Sequence, residues 1–221
     1  MKRPKYTAVI FDFDGTLVDS MPDILACIKV AYKKEGLLKV NPKKEHIGPP
    51  LMECLKLLTP DLSRAALESV GQHFREAYDT SSYPKTTLYQ GVKETLLFLK
   101  NAGAKLYLVT NKRSYPTFRM LKKFNLPYFL LVISPDLKKG KTLNKTKMLA
   151  YLLKKEKIKA KNAVYVGDSK ADILCAHANK MAAAAVTYGY NTVKQLKEGS
   201  PEYLIKNIKE LRKIAGGRPQ G

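Results

Sequence analysis

The stretch Ala8-Val9-Ile10-Phe11-Asp12-Phe13-Asp14-Gly15-Thr16-Leu17-Val18-Asp19-Ser20 decides how the rest of the chain is read. It opens with an apolar run of β-branched and aromatic residues, the pattern of a buried strand. Asp12 and Asp14 follow, one residue apart. Alternate residues of a strand face the same side, so both carboxylates can aim at one spot beyond the strand's carboxyl end. Gly15 permits a sharp turn there, and open parallel α/β sheets bind their ligands at that end. Two carboxylates this close shift each other's proton affinity; a bound cation or a shared proton relieves the repulsion. The chemistry such a pair suggests is one carboxylate as nucleophile and the other as acid and then base. A bare Asp-x-Asp is as easily a strand followed by an acidic turn. The full string Asp-x-Asp-Gly-Thr-Leu-Val-Asp-Ser is far rarer and outweighs that bland explanation.

Downstream of this stretch the pattern turns helical. Pro22 suits a first helical turn, and Ile24, Leu25, Ile28, Ala31 and Tyr32 share one face up to Gly36. A short element begins near Asn41, and Ile47-Gly48-Pro49-Pro50-Leu51 breaks it. Leu51–Leu58 and a segment from Ser63, a candidate N-cap, to about Tyr78 read as helices, and Thr80–Pro84 as a linker. No strand pattern occurs between Ser20 and about Lys85, so this region is expected to be an all-helical insert.

Strands then alternate with helices. Strands are expected at 105–110, 129–133, 163–166 and 182–186. Helices are expected at 91–102, 116–124, 144–157 and 170–179, with two short ones near 193–197 and 202–214. This alternation argues for an α/β fold built on a doubly wound parallel sheet. The expected organisation is a core of residues 1–19 and 86–215, a helical insert at 20–85, and a flexible tail at 216–221.

Other strand ends carry residues suited to phosphoryl transfer. Thr110-Asn111 offers a hydroxyl and a backbone N–H for a phosphoryl oxygen, although Thr-Asn also simply starts loops. Gly167-Asp168-Ser169-Lys170-Ala171-Asp172 places Asp168 at a turn after Val-Tyr-Val and Asp172 in the first turn of the next helix. Carboxylate oxygens and waters are what Mg²⁺ prefers; an N-cap with a helix-dipole acid would explain either aspartate singly. A fixed positive charge has candidates in Lys138, Lys139, Lys141, Lys145 and Lys147, of which Lys145 starts the helix with the buried face Met148, Leu149, Leu152.

Composition bounds the alternatives. The 221 residues, 45% hydrophobic, suffice for one or two folded domains. No apolar run approaches a membrane span or a signal core, and a soluble cytoplasmic protein is expected. Cys27, Cys54 and Cys175 are scattered, and His46, His73 and His177 lack metal-ligand spacing, so buried thiols and structural histidines are expected. The formal charge is +21, from 40 Lys and Arg against 19 Asp and Glu. Between Thr95 and Gly167 the only acids are Asp136 and Glu156. Such a surface attracts polyanions, but it lacks the basic-aromatic interleaving of a nucleic-acid module, and a solvated lysine-rich surface is the simpler reading.

Taken together, the pieces resemble the haloacid dehalogenase superfamily, in its phosphoglycolate phosphatase-like branch. Asp12-Phe13-Asp14-Gly15-Thr16 resembles its first motif, Thr110-Asn111 the second, and Gly167-Asp168 through Asp172 the fourth. The third is a lysine upstream of the fourth, best matched by Lys145, with Lys141 as the alternative; the Lys-Pro pair common in the branch is absent. Val186-Thr187-Tyr188-Gly189-Tyr190 resembles the family's final strand and loop, and Ile47–Leu51 a cap loop. The resemblance implies a Rossmann-like core with a helical cap closing over a small phosphorylated metabolite. Asp12 would be the nucleophile, Asp14 the acid and base, and Thr110, Asn111 and Lys145 would hold phosphoryl oxygens. Mg²⁺ would sit on Asp12, the Asp14 backbone carbonyl and Asp168, with Asp172 supporting. The competing expectations are a sugar-phosphate mutase, a nucleotide phosphatase and, in another class, a polyanion-binding protein.

Overall fold

The structure is a computed structural model that describes residues 4–136 and 143–215, the side chain of Glu45 excepted. Lys138, Lys139, Lys141 and the tail from residue 216 lie outside the described residues. The chain runs β1 (Ala8–Phe11), β2 (Val18–Asp19), α1 (Met21–Lys34), α2 (Leu51–Leu58), α3 (Arg64–Thr80), β3 (Thr87–Leu88), α4 (Val92–Asn101), β4 (Lys105–Val109), α5 (Ser114–Lys123), β5 (Leu131–Ile133), α6 (Lys145–Lys155), β6 (Ala163–Gly167), α7 (Lys170–Ala178), β7 (Ala182–Val186), α8 (Val193–Glu198), β8 (Tyr203–Ile205) and α9 (Leu211–Ile214). Its residues cluster into two units, Met1–Val18 with Leu88–Gly221, and Asp19–Thr87.

The larger unit is built on a six-stranded sheet in the order β5-β4-β1-β6-β7-β8, parallel at every pairing described. β1 is central and fully buried, which is why Ala-Val-Ile-Phe reads as a continuous apolar run. Ile10 is in register with Tyr107 of β4 and Tyr165 of β6. On that face Met148, Leu149 and Leu152 of α6 and Ile173 and Ala176 of α7 complete one buried cluster. The register also fixes the site: Phe11 lies opposite Leu108 and Val166, so the residues just beyond them leave three adjacent strands at one edge.

β8 corrects an expectation. The segment 202–214 was expected as one helix; instead Tyr203–Ile205 pairs in parallel with β7 as an edge strand, a 3₁₀ turn follows at Ile208–Glu210, and only Leu211–Ile214 is α-helical. Three apolar residues are too few to distinguish a strand from a helical turn by period; the pairing edge of β7 makes the choice. The two-residue strands β2 and β3, which pair where the chain passes between the units, carried no periodic signal either.

The smaller unit is helical, with α1 packed along α3 and α2 against α3. Pro22 stands in the first turn of α1, and the Ser63 hydroxyl accepts from Ala66 N–H to cap α3. Tyr32 is buried and its hydroxyl lies 2.8 Å from Thr59 Oγ1. Asp23 is buried in α1 and accepts from the Thr86 N–H at 2.7 Å, the Thr86 hydroxyl at 2.6 Å and the Lys85 N–H at 3.1 Å. One carboxylate therefore fixes the returning chain. Cys27 and Cys54 are buried free thiols, whereas Cys175, in the larger unit, is only half-buried.

Candidate active site

At the carboxyl end of β1 the Asp12 N–H still donates to Val166 O at 2.8 Å, extending the ladder by one residue. Two residues past Ile10, Asp12 continues toward the face that α6 covers. The first residue of α6 is Lys145, and its Nζ lies 2.9 Å from Asp12 Oδ2 and 2.6 Å from Asp172 Oδ1. All three side chains are buried, as is Asp168. Asp12, Asp168 and Asp172 each offer a carboxylate oxygen, and these oxygens lie within 4.8 Å of one another.

Each aspartate is held differently. Asp172 is the third residue of α7 and completes a capping box with Ser169. Its Oδ2 accepts from the Ser169 hydroxyl at 2.7 Å and from the Asp168 and Ser169 N–H groups at 3.2 and 3.1 Å. The capping role and the cluster role thus fall on one residue. Asp168 Oδ2 accepts from the Tyr190 N–H at 2.7 Å, and the Thr16 hydroxyl reaches Asp168 Oδ1 at 3.4 Å. The Tyr188 hydroxyl donates to Thr16 O at 2.9 Å and ties the final loop to the first. Asp12 Oδ1, by contrast, is buried and has no hydrogen-bond partner among the described residues.

Asp14 does not join the carboxylate cluster with its side chain. The Lys112 ammonium donates to Asp14 Oδ1 at 2.9 Å and to Oδ2 at 3.2 Å. Thr110 is buried at the end of β4, its backbone bonded to Ile133 O at 3.1 Å and its hydroxyl accepting from the Lys112 N–H at 3.2 Å. Asn111 follows it in the turn before α5. Lys112, Thr16, Tyr188 and Tyr190 carry no individual role in the sequence patterns above. Only the position of Lys112, two residues past Thr110, set it apart from the other lysines.

The electrostatics follow from burial. Loss of water raises the Asp12 carboxyl to about 6; the Lys145 ammonium opposes the rise and the Asp172 charge adds to it. Burial, then the charges of Asp172 and Asp12, push Asp168 well above the ordinary carboxylate range. Burial would weaken the hold of Lys145 on its proton, but the charges of Asp12 and Asp172 overcome it and the net shift is upward. The ammonium also lies 5.9 Å from the Tyr165 ring centroid, and the Tyr165 hydroxyl donates to Val109 O at 2.8 Å. With the three carboxylates ionised, the one ammonium that touches them among the described residues leaves two negative charges, the charge of one divalent cation. The orphan Asp12 Oδ1 is an acceptor of the kind such a cation needs. The oxygen-only donor set suits a hard metal ion.

A Rossmann-like parallel sheet, a helical insert after its first strand, and acidic groups converging at one sheet edge define a haloacid dehalogenase-like hydrolase. The family model for haloacid dehalogenase-like hydrolases matches residues 9–186, and the chain belongs to that family. Among curated relatives, a phosphoglycolate phosphatase from Vibrio parahaemolyticus is 31% identical, covering 97% of this chain and 98% of its own. A 5'-nucleotidase from Pseudomonas aeruginosa is 26% identical, covering 95% and 96%. The solved structure of a haloacid dehalogenase-like family hydrolase from Streptococcus pneumoniae shares the fold, with a TM-score of 0.83 at 24% identity over 94% of this chain and 97% of that one. No helix among the described residues is long and apolar enough to cross a membrane.

Proposed function

We propose that the protein is a Mg²⁺-dependent phosphatase that hydrolyses a small, phosphoglycolate-like phosphate monoester through an aspartyl-phosphate on Asp12. The observation that carries this reading is Asp12 itself: one oxygen is fixed by Lys145 and the other is buried without a hydrogen-bond partner among the described residues, beside two further carboxylates. In the first step an Asp12 oxygen bonds to phosphorus, the ester P–O bond breaks, and Asp14 gives its proton to the leaving oxygen. In the second, Asp14 takes a proton from water, the water oxygen bonds to phosphorus, and the bond to Asp12 breaks to release inorganic phosphate. Thr110, the Asn111 N–H and Lys145 stabilise the phosphoryl oxygens. Asp12, Asp168 and the Asp14 backbone carbonyl would hold Mg²⁺, with Asp172 behind them. The ion would supply positive charge against the phosphoryl group. The helical unit at 20–85 stands where the family resemblance puts a cap, and we assign it the choice of substrate.

A panel of phosphate esters assayed for released phosphate, with Mg²⁺ and with EDTA, tests the reading. Phosphoglycolate is expected among the best substrates, and Asp12→Asn is expected to abolish turnover of every ester. Retention of most activity in that variant would overturn the assignment. The 5'-nucleotidase relative supports a second reading, in which nucleoside 5'-monophosphates lead the same panel. An isomeric phosphate in place of free phosphate would instead select a mutase. Nucleic-acid binding that persists at physiological salt would support a polyanion partner.

A further inference from the structure

We propose that Lys112 is a positioning residue that holds the Asp14 carboxylate in its working orientation. The inference rests on the phosphatase reading above and adds a residue to it. The Lys112 side chain is 6% exposed, although lysine is normally a solvated surface residue. Its ammonium donates to both oxygens of Asp14, at 2.9 and 3.2 Å. The backbone of Lys112 is fixed too, since its N–H donates to the Thr110 hydroxyl. The turn that presents Thr110 to the site therefore also sets the root of the lysine.

An Asp side chain can take up to three staggered χ1 arrangements, and the Lys112 contact selects the one the structure shows for Asp14. A contact through both oxygens is one the ionised carboxylate makes, the form that takes a proton from water in the second step, and that carboxylate cannot rotate away without breaking a charge-assisted contact. Lys145 cannot do this work, because its ammonium is engaged by Asp12 and Asp172. The two lysines thus divide the acids between them: Lys145 serves the attacking carboxylate and Lys112 the proton-transferring one. The step affected is proton transfer and not phosphorus attack, so a loss in steady-state turnover without a loss in single-turnover release of a good leaving group distinguishes this role from substrate binding.

The test compares wild type, Lys112→Met, Lys112→Arg, Asp14→Asn and the double variant Lys112→Met/Asp14→Asn. Circular dichroism melts establish that each is folded, and Lys112→Arg keeps a cation in place should the Met variant fail to fold. With aliphatic phosphate esters, whose leaving oxygen needs a proton, Lys112→Met is expected to lose about 10²-fold in kcat, at the low end of what acid–base catalysis contributes, with KM little changed. Single-turnover release of nitrophenolate from 4-nitrophenyl phosphate, which needs no proton, is expected to stay within about twofold of wild type. Lys112→Arg should recover part of the loss. The double variant should be no slower than Asp14→Asn alone, because Lys112 acts through Asp14. Losses that multiply in the double variant, an equal loss in nitrophenolate release, or a rise in KM at constant kcat would overturn the proposal while leaving the phosphatase reading intact. A wild-type protein that releases phosphate from no ester would overturn both.

Discussion

Gly15 and Asp168 compete for one space: a Cβ built on Gly15 would overlap the Asp168 carboxylate, and Gly15 stands at a φ of +77° that side chains disfavour. The tight turn of the first loop and the seat of the candidate metal ligand are therefore one construction. Gly15→Ala carries both the left-handed backbone cost and the overlap. It is expected to destabilise the fold by ~2–4 kcal/mol and to displace Asp168. The urea midpoint and Mg²⁺-dependent phosphate release measure the two effects; a variant that melts like wild type and keeps its Mg²⁺ response would contradict this relationship.

Lys145 is the only ammonium touching Asp12 and Asp172 among the described residues. Lys145→Met removes it and leaves buried carboxylates uncompensated, a change that typically costs ~3–5 kcal/mol. Adding Asp12→Asn in the same chain removes one of those charges and should restore part of the loss. Chemical denaturation of the single and double variants in EDTA gives the comparison; additive losses would argue that the pair does not interact.

The pH response of the metal-free protein follows from Asp12, whose carboxyl burial holds at about 6 instead of its ordinary 3.8. A carboxyl that binds its proton more tightly when folded favours the fold at low pH, and this advantage disappears as pH rises through its folded value. Asp12→Asn carries no charge at any pH. In EDTA its stability relative to wild type should therefore climb from about pH 4 upward, by a few kcal/mol, as Asp12 and then Asp168, whose proton the Asp12 charge helps hold, ionise in wild type. Subtracting the two proteins cancels carboxylates held low, such as Glu76 and Glu202, which lose stability in the opposite direction as pH falls. A flat difference across that window would show that Lys145 already neutralises Asp12 fully.

Divalent cation binding should relieve the same repulsion. At a hundredfold excess over its dissociation constant, Mg²⁺ is expected to stabilise wild type by ~2.7 kcal/mol, more at about pH 8 than at about pH 5, where protons compete for the carboxylates. Thermal melts should show this rise in Tm, and Asp168→Asn should lose most of it. An unchanged Mg²⁺ response in that variant would place the ion elsewhere.

Asp23 bears on the helical unit alone. Its carboxylate accepts from the N–H groups of Lys85 and Thr86 and from the Thr86 hydroxyl, and Asp23→Ala leaves these donors without it. A loss of ~2–3 kcal/mol is expected, with faster amide hydrogen exchange at Lys85 and Thr86 than at residues within α3. Exchange at Lys85 and Thr86 as slow as in wild type would show that other groups fix the returning chain.

The sequence alone determined the α/β class, because a continuous apolar strand and its alternation with amphipathic helices are local patterns that survive without knowledge of partners. It also placed the candidate site residues Asp12, Thr110 and Asp168 at strand ends, since each closely follows an apolar run. The sheet's outer edge was decided elsewhere: Tyr203–Ile205 has no period long enough to declare itself, and β7 supplies the hydrogen bonds that make it a strand. The same holds for the lysines. Position at the start of an amphipathic helix marked Lys145, and position two residues past Thr110 set Lys112 apart, but neither signal says which carboxylate its ammonium meets in a chain with 40 Lys and Arg. An ammonium acquires a role only when the fold removes its water and brings carboxylates within 3 Å, as Asp12 and Asp172 do for Lys145 and Asp14 for Lys112. Charge type is written in the chain, but burial and convergence belong to the packed sheet.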